Sequence, residues 1–195
     1  MKVINQNNTF RKFDFSSVID KKDDEKACDI IKEIIQRGDY ILTSPRFQTK
    51  ENLFLRSESI WLKYRMSFLF SLFMYLGQEV KISNLNAWSY MTNDSIPEDR
   101  NKLWHHHWYP KNQGCKMMSG IWYLHIPEDV QDRNYCGTEM APTMTESGPI
   151  IEDQIFIRPD YGQWLIYPSD QWHRPGIPQS NNYRFVLSAD VEYLS

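Results

Sequence analysis

The stretch that decides the fold lies near the end of the chain and reads RPDYGQWLIYPSDQWHRPGIPQSNNYRFVLSADV (residues 158–191). Gly162 marks a turn, and residues 163–167 are an apolar run typical of a buried strand. After His173 come a loop rich in Pro, Gly and Asn and a last strand that begins near Arg184. Alternate side chains of a strand share a face. One face of this strand then holds Arg184, Val186, Ser188 and Asp190. Arg184 begins this strand and is separated from His173 by a single loop. Its guanidinium is suited to bidentate binding of a carboxylate.

Short β-type runs occupy residues 78–195, and Pro, Gly, Asn and Asp cluster between them. Many short strands with turn signals predict an antiparallel sandwich or barrel. We therefore expect a single domain in which residues 1–77 form a helical support for this β core. Two long polar loops, residues 92–101 and 143–153, are candidates for lids over a site.

Two helices are predicted before the β core. Apolar residues recur at helical spacing in residues 23–38, which open on acidic residues and stop at a glycine. The second helix starts after Ser57 or Ser59 and ends at Gly77. Between them, TSPRFQTKEN (residues 43–52) is predicted to be a polar loop.

The bulk properties exclude several classes of function. A net charge of −3 over 195 residues disfavours binding to long tracts of nucleic acid, which needs a basic surface. The longest apolar run, residues 66–76, is too short to span a bilayer, and the N-terminus has no secretory h-region. The three cysteines lack zinc-ligand spacing and are expected to be thiols. The charge run DKKDDEK (residues 20–26) is expected to be a solvated helix start. We expect a cytoplasmic protein with no membrane association.

Three consecutive histidines stand in LWHHHWYPKNQG (residues 103–114), out of five in the chain. On a strand His105 and His107 would share a face and His106 would point the other way. Two imidazoles from one rigid element are a recurrent start for a mononuclear metal site. The spacing alone leaves ordinary surface or core histidines equally open. His125, after an apolar run, is expected to be a core histidine.

Several motifs together resemble the Fe(II)/2-oxoglutarate-dependent oxygenases, in particular the prolyl-hydroxylase-like group. In chain order they are H-x-H, SGIWYLHIP, CGTEM, P-x-x-G-x-x-x-x-x-P-S-x-x-x-H and R-x-x-x-S. The similarity covers about residues 80–195, and helices before the core are usual in that family. It implies a double-stranded β-helix, a cupin-like jelly roll that is mainly β with N-terminal helices.

The resemblance also implies roles for individual residues. His105 and His173 would be the proximal and distal histidine ligands of Fe(II). Arg184 would bind the distal carboxylate of 2-oxoglutarate, helped by Ser188 or Tyr123. The other end of this co-substrate would chelate the iron, and O₂ would be the second co-substrate.

The identity of the third metal ligand is open, because the family usually has a carboxylate where this chain has His107. His107 itself could complete an all-nitrogen set, since imidazole suits iron. Glu139 could supply a carboxylate from a neighbouring strand. Alternatively only two protein ligands are used, and water or an anion takes the third position, as in the family's halogenases.

The sequence thus predicts a non-haem dioxygenase that hydroxylates a small molecule and releases succinate and CO₂. Trp108, Tyr109 and Trp172 are candidates for walls of the substrate pocket. Two alternatives are a three-histidine cupin-type dioxygenase that does not use 2-oxoglutarate and a non-catalytic jelly-roll binding module.

Overall fold

A computed structural model gives the architecture. It describes residues 2–6, 10–43, 46–95, 103–111, 113–130, 132, 136–141, 143–145, 148–150 and 154–194. The two loops predicted as lids lie partly outside these residues.

Two α-helices lie close to where the sequence predicts them. Helix α1 spans Lys21–Gln36 and begins with a reciprocal capping box between Asp20 and Asp23. Helix α2 spans Ser59–Leu76 and ends at Gly77, whose φ of 72° is the left-handed conformation that closes many helices. A short 3₁₀ turn, Leu53–Leu55, precedes α2. Neither α-helix of the described chain is long and apolar enough to cross a membrane.

The described structure also contains thirteen strands. They are β1 (Lys2–Gln6), β2 (Arg11–Asp14), β3 (Tyr40–Thr43), β4 (Arg46–Thr49), β5 (Lys81–Thr92), β6 (Lys116–His125), β7 (Thr138–Ala141), β8 (Met144–Thr145), β9 (Gly148–Pro149), β10 (Ile155–Ile157), β11 (Gln163–Pro168), β12 (Trp172–Pro175) and β13 (Arg184–Leu194). The major sheet has eight strands in the order β1-β2-β11-β6-β13-β5-β4-β3. A minor sheet has the order β10-β7-β12, and β8 pairs with β9. All these pairings are antiparallel.

The central strands of the major sheet bury both faces, each against a different layer. On β13, Leu187, Ala189 and Val191 join the apolar cluster that contains the inner faces of α1 and α2. Val186, on the opposite face, packs in a second cluster with Met140 of the minor sheet. Strands β6 and β11 divide their side chains in the same way. The molecule therefore has three layers. The helices cover one face of the major sheet, and the minor sheet covers the opposite face.

Two antiparallel sheets that enclose one interior, with helices on the outside of the larger sheet, form a double-stranded β-helix. The mainly β fold class predicted from the sequence is confirmed. The predicted alternation along β13 is confirmed as well, because Arg184, Val186 and Ser188 face the interior while Phe185 and Leu187 pack under the helices.

The N-terminal third contains more than helices. Strands β1 to β4 form both edges of the major sheet. The predicted polar loop over residues 43–52 is wrong, because Arg46–Thr49 forms β4 and pairs with β5 through Phe47 opposite Met91. Strand β4 is stabilised by hydrogen bonds to β5, which is distant in sequence, so the local sequence pattern does not reveal it.

The prediction of a solvated charge run at residues 20–26 is wrong at one position. Asp24 is buried and accepts hydrogen bonds from the Tyr64 hydroxyl at 2.7 Å and from the Trp122 indole N–H at 2.8 Å. It therefore ties α1 to α2 and to β6. Burial raises the pKa of this carboxyl to about 7, although both hydrogen bonds act to lower it.

The histidine-rich segment is not a regular strand, contrary to the prediction. Among described residues 103–111, only His105 forms a bridge, which pairs it with His173. All three cysteines are thiols, as predicted, and all three are buried.

Candidate metal and anion site

Three of the predicted ligands lie together inside the double-stranded β-helix. The backbone bridge between His105 and His173 has N–H···O distances of 3.0 and 2.9 Å. The ring centroid of His173 lies 4.3 Å from that of His105 and 4.9 Å from that of His107. One potential ligand atom of each ring lies within 4.8 Å of the other two. We call these residues the histidine triad.

Each ring of the triad has its Nδ1 held by an oxygen. Nδ1 lies 2.8 Å from the Leu103 carbonyl in His105 and 3.0 Å from the Gln171 carbonyl in His173. Nδ1 of His107 lies 3.0 Å from a carboxylate oxygen of Asp190. Because these oxygens accept, each Nδ1 donates, and the tautomer that leaves Nε2 as a lone-pair donor is favoured in all three rings.

His106 differs from its neighbours. Its Nδ1 accepts a hydrogen bond from the backbone N–H of Trp108 at 3.2 Å. The ring stacks on Tyr109, with centroids 5.4 Å apart, and meets Trp172 edge to face at 4.7 Å. Of the three residues predicted as pocket walls, Tyr109 and Trp172 therefore pack against the ring of His106, outside the triad, and Trp108 bonds to it through its backbone. Of them, Tyr109 also lines a separate cleft that reaches His107.

Asp190 is a site residue whose role the sequence reasoning missed. It accepts hydrogen bonds from His107 and, at 2.6 Å, from the Ser119 hydroxyl. The Ser119 hydroxyl also lies 2.8 Å from that of Ser169, whose backbone carbonyl accepts from the N–H of His107 at 2.8 Å. The alternation of β13 places Asp190 on the inner face, but no sequence signal shows that His107 packs against it.

A narrow pocket opens on one side of the triad and contains the predicted anion-binding residues. Arg184, Ser188 and Tyr123 all line it, together with the three histidines. Arg184 is only 2% exposed, and its guanidinium donates to the carbonyls of Cys136 and, at 3.1 Å, Gly137. A buried cation in a pocket that also holds imidazoles is suited to an anionic ligand.

Hydroxyl groups complete this pocket. The Tyr123 hydroxyl lies 2.6 Å from that of Thr138, and burial raises the pKa of Tyr123 to about 12, so the phenol stays protonated. Thr92 lies opposite Arg184 in the β5–β13 pair and is also buried. Behind the lining of the pocket, the Tyr167 hydroxyl lies 3.3 Å from Nε2 of His173, and burial raises the pKa of Tyr167 well above the usual value.

Glu139, the alternative third ligand, lies on β7 opposite Arg174, the residue that follows His173, and its carboxylate has a partner outside the triad. Its carboxylate accepts from Nε of Arg174 at 2.7 Å, and both side chains are buried. The Arg174 guanidinium lies over the ring of Trp104, 4.5 Å from its centroid. The structure thus places Glu139 in an ion pair, and it brings His107 rather than Glu139 to His105 and His173.

Comparison with solved structures identifies similar folds at very low sequence identity. No protein-family model matches the sequence, and no curated protein matches it either. A prolyl-4-hydroxylase from Pseudomonas putida superposes with a TM-score of 0.63 at 9% identity, over 96% of this chain and 93% of the other. The non-heme alpha-ketoglutarate-dependent epimerase SnoN from nogalamycin biosynthesis gives 0.64 at 8% identity, over 94% and 77%. HygX from Streptomyces hygroscopicus, solved with nickel and 2-oxoglutarate bound, gives 0.58 at 12% identity, over 94% and 82%.

These similarities extend over almost the whole chain, helices included, and agree with the resemblance carried by the sequence motifs. The chain therefore has the double-stranded β-helix fold of the Fe(II)/2-oxoglutarate-dependent oxygenases.

Proposed function

We propose that this protein is a non-haem Fe(II)- and 2-oxoglutarate-dependent dioxygenase that hydroxylates a small molecule. The observation that carries the proposal is the histidine triad, with each Nδ1 held by an oxygen, beside a buried arginine in one pocket. Metal-binding histidines usually donate their second ring N–H in this way, because the hydrogen bond fixes the tautomer and makes the ligand more basic.

The donor set fits iron. His105, His107 and His173 offer three neutral nitrogen donors from one side, which suits Fe(II) and leaves other coordination positions for small ligands. The Asp190 carboxylate adds a negative charge through His107, and so partly replaces the charge that a carboxylate ligand would bring. We therefore assign His107 as the third ligand. Glu139, held by Arg174, would have to break an ion pair to serve instead.

The anion pocket fits 2-oxoglutarate. Arg184 would hold its distal carboxylate, with Ser188 and Tyr123 donating from the same pocket wall. The protonated phenol of Tyr123 is a donor at any physiological pH, because its pKa is about 12. The opposite end of the molecule would then point towards the three histidines, which line the same pocket.

Bound iron with 2-oxoglutarate and O₂ supplies oxidative decarboxylation, in which one oxygen atom enters a substrate C–H bond and the other enters succinate as CO₂ leaves. The side chains of this protein orient the partners and keep water out. Apolar residues of the interior, such as Ile121 and Val186, line the same pocket. No side chain is required to move a proton in this scheme.

A three-histidine cupin-type dioxygenase that does not use 2-oxoglutarate is a second candidate, favoured by the all-imidazole triad. Arg184 distinguishes the two, because under that alternative it would hold a substrate carboxylate. Arg184→Ala would then leave the affinity for 2-oxoglutarate unchanged, whereas our proposal expects a large loss.

The proposal is tested by adding Fe(II) and then 2-oxoglutarate to the metal-free protein without oxygen. A visible metal-to-ligand charge-transfer band is expected, and it requires both components. Folded protein that binds iron but gives no band would contradict the use of 2-oxoglutarate. Folded protein that binds no iron would instead support a non-catalytic jelly-roll module.

A further inference from the structure

We infer that the cleft on the other side of His107 binds a small substrate that carries a cationic amine, recognised by Glu192. This inference rests on the proposed function and names the substrate class of the same site. The cleft has a volume of about 460 Å³, within the range of small-molecule sites. It is separate from the pocket that holds Arg184, and His107 is shared by both.

The floor of the cleft is the continuation of one face of the β5–β13 pair. Glu192 lies opposite Asn84, Asp190 opposite Asn86, and Ser188 opposite Trp88. Because side chains alternate, these residues follow one another along the inner face, which leads from Arg184 at one end to Glu192 at the other.

Charge changes sign along this face. Arg184 supplies a buried positive charge for the anionic co-substrate at one end. Past the triad, the same strand presents Asp190 and Glu192, and the only basic lysine or arginine among the described lining residues is Lys111, which is exposed. A ligand that enters beside His107 on this side therefore meets negative charge, which favours a cation.

Glu192 is the residue assigned to the amine. Asp190 is directed towards the triad, since it already accepts from His107 and Ser119. Glu192 is 1% exposed, so its carboxylate lies in a low-dielectric floor rather than at a hydrated rim. An ion pair formed there is screened far less by salt than one at the surface.

Trp88 gives an independent sign of a polar ligand. Its side chain is only 9% exposed, and its indole Nε1 has no hydrogen-bond acceptor among the described residues. The ring lines the cleft 5.4 Å from the ring of His107. Buried indole N–H groups usually find a partner. An oxygen atom of the substrate would supply it.

The spacing limits the size of the molecule. Two residues along a strand cover about 7 Å, which separates Glu192 from the Asp190 that holds His107. A molecule that reaches from Glu192 to the part of the cleft beside His107 is therefore small. An amino acid or a short polar amine meets these conditions, with Tyr109 as an apolar wall at the exposed end.

The test uses free amino acids and short amines as probes, each paired with its N-acetylated derivative, which has the same skeleton without the charge. Succinate release and the incorporation of one oxygen atom into the probe are measured on the iron-loaded wild-type protein. We expect at least one amine to stimulate succinate release and its acetylated partner to fail. For that amine, Glu192→Gln should raise KM roughly 10- to 100-fold, the usual effect of losing a hydrogen bond to a charged group. The matched control is Glu79→Gln, which removes the same charge from an exposed position and should leave KM unchanged.

Each outcome decides the question. Equal stimulation by the acetylated probes, or an unchanged KM in Glu192→Gln, would overturn the inference, as would a panel in which only neutral or acidic molecules are oxidised or none is. The comparison of each amine with its acetylated derivative uses the wild-type protein, so it remains decisive even if Glu192→Gln does not fold. The charge-transfer band of the wild type, recorded without any probe, shows separately whether the proposed function holds.

Discussion

Replacement of Asp190 by alanine should weaken Fe(II) binding about 10- to 100-fold, as is typical for partners of metal-binding histidines. The affected contact is the 3.0 Å hydrogen bond to Nδ1 of His107, whose side chain is 12% exposed while that of Asp190 is 17% exposed. A hydrogen bond to a charged group contributes about 1.5–3 kcal/mol, which agrees with that range of affinities. Asp190→Asn retains an acceptor oxygen without the charge, and so should show an intermediate loss.

The assay is an anaerobic titration of the metal-free protein with Fe(II) against a chromophoric chelator. Ser119→Ala is the matched control, because it removes the other hydrogen bond to Asp190 and leaves His107 in place. Equal iron affinity in wild type and Asp190→Ala would refute the assignment of His107 as a ligand held by Asp190. A loss in Glu139→Gln together with no loss in Asp190→Ala would transfer the third position to Glu139.

Three further changes test other parts of the structure. Arg184→Gln should raise the Kd of 2-oxoglutarate at least roughly tenfold, because a charge-assisted contact is lost; anaerobic titration of the charge-transfer band measures it, and an unchanged Kd would exclude Arg184 from the anion site. Gly137→Ala should lower Tm and weaken 2-oxoglutarate binding together, since a Cβ there would overlap the Ile157 carbonyl oxygen while the Gly137 carbonyl accepts from Arg184; a variant with wild-type Tm would contradict this packing. In the wild type, the Asp24 carboxyl has a pKa of about 7 in the folded state against 3.8 in the unfolded chain, so the protein should lose stability as pH rises from about 4 through about 7. Asp24→Asn has no titrating group at this position and should not show this loss. The full difference is about 4 kcal/mol, so urea unfolding at pH 5 and pH 8 should show a flatter profile for the variant than for wild type.

The side chains that face the interior of the sheet could be predicted, because their direction depends only on spacing between nearby residues of the chain. Residues two apart share a face in any extended segment, so Arg184 and Ser188 meet in one pocket as expected. The same spacing brings His105 and His107 together even though their segment forms only one bridge instead of a strand.

Features that depend on distant partners could not be predicted in this way. Strand β4 lies in a polar segment and is stabilised by pairing with β5, far along the chain. Asp24 sits in a charge run but is covered by Tyr64 and Trp122 from other elements. Asp190 was placed on the correct face, yet its hydrogen bond to His107 depends on how a separate segment crosses the sheet.

The most direct test of the central claim is X-ray absorption at the iron edge of protein loaded anaerobically with Fe(II) and 2-oxoglutarate. We expect scattering from three imidazole ligands in the wild type and from two in His107→Ala. A spectrum without imidazole scattering, or one that His107→Ala leaves unchanged, would contradict the site described for this fold.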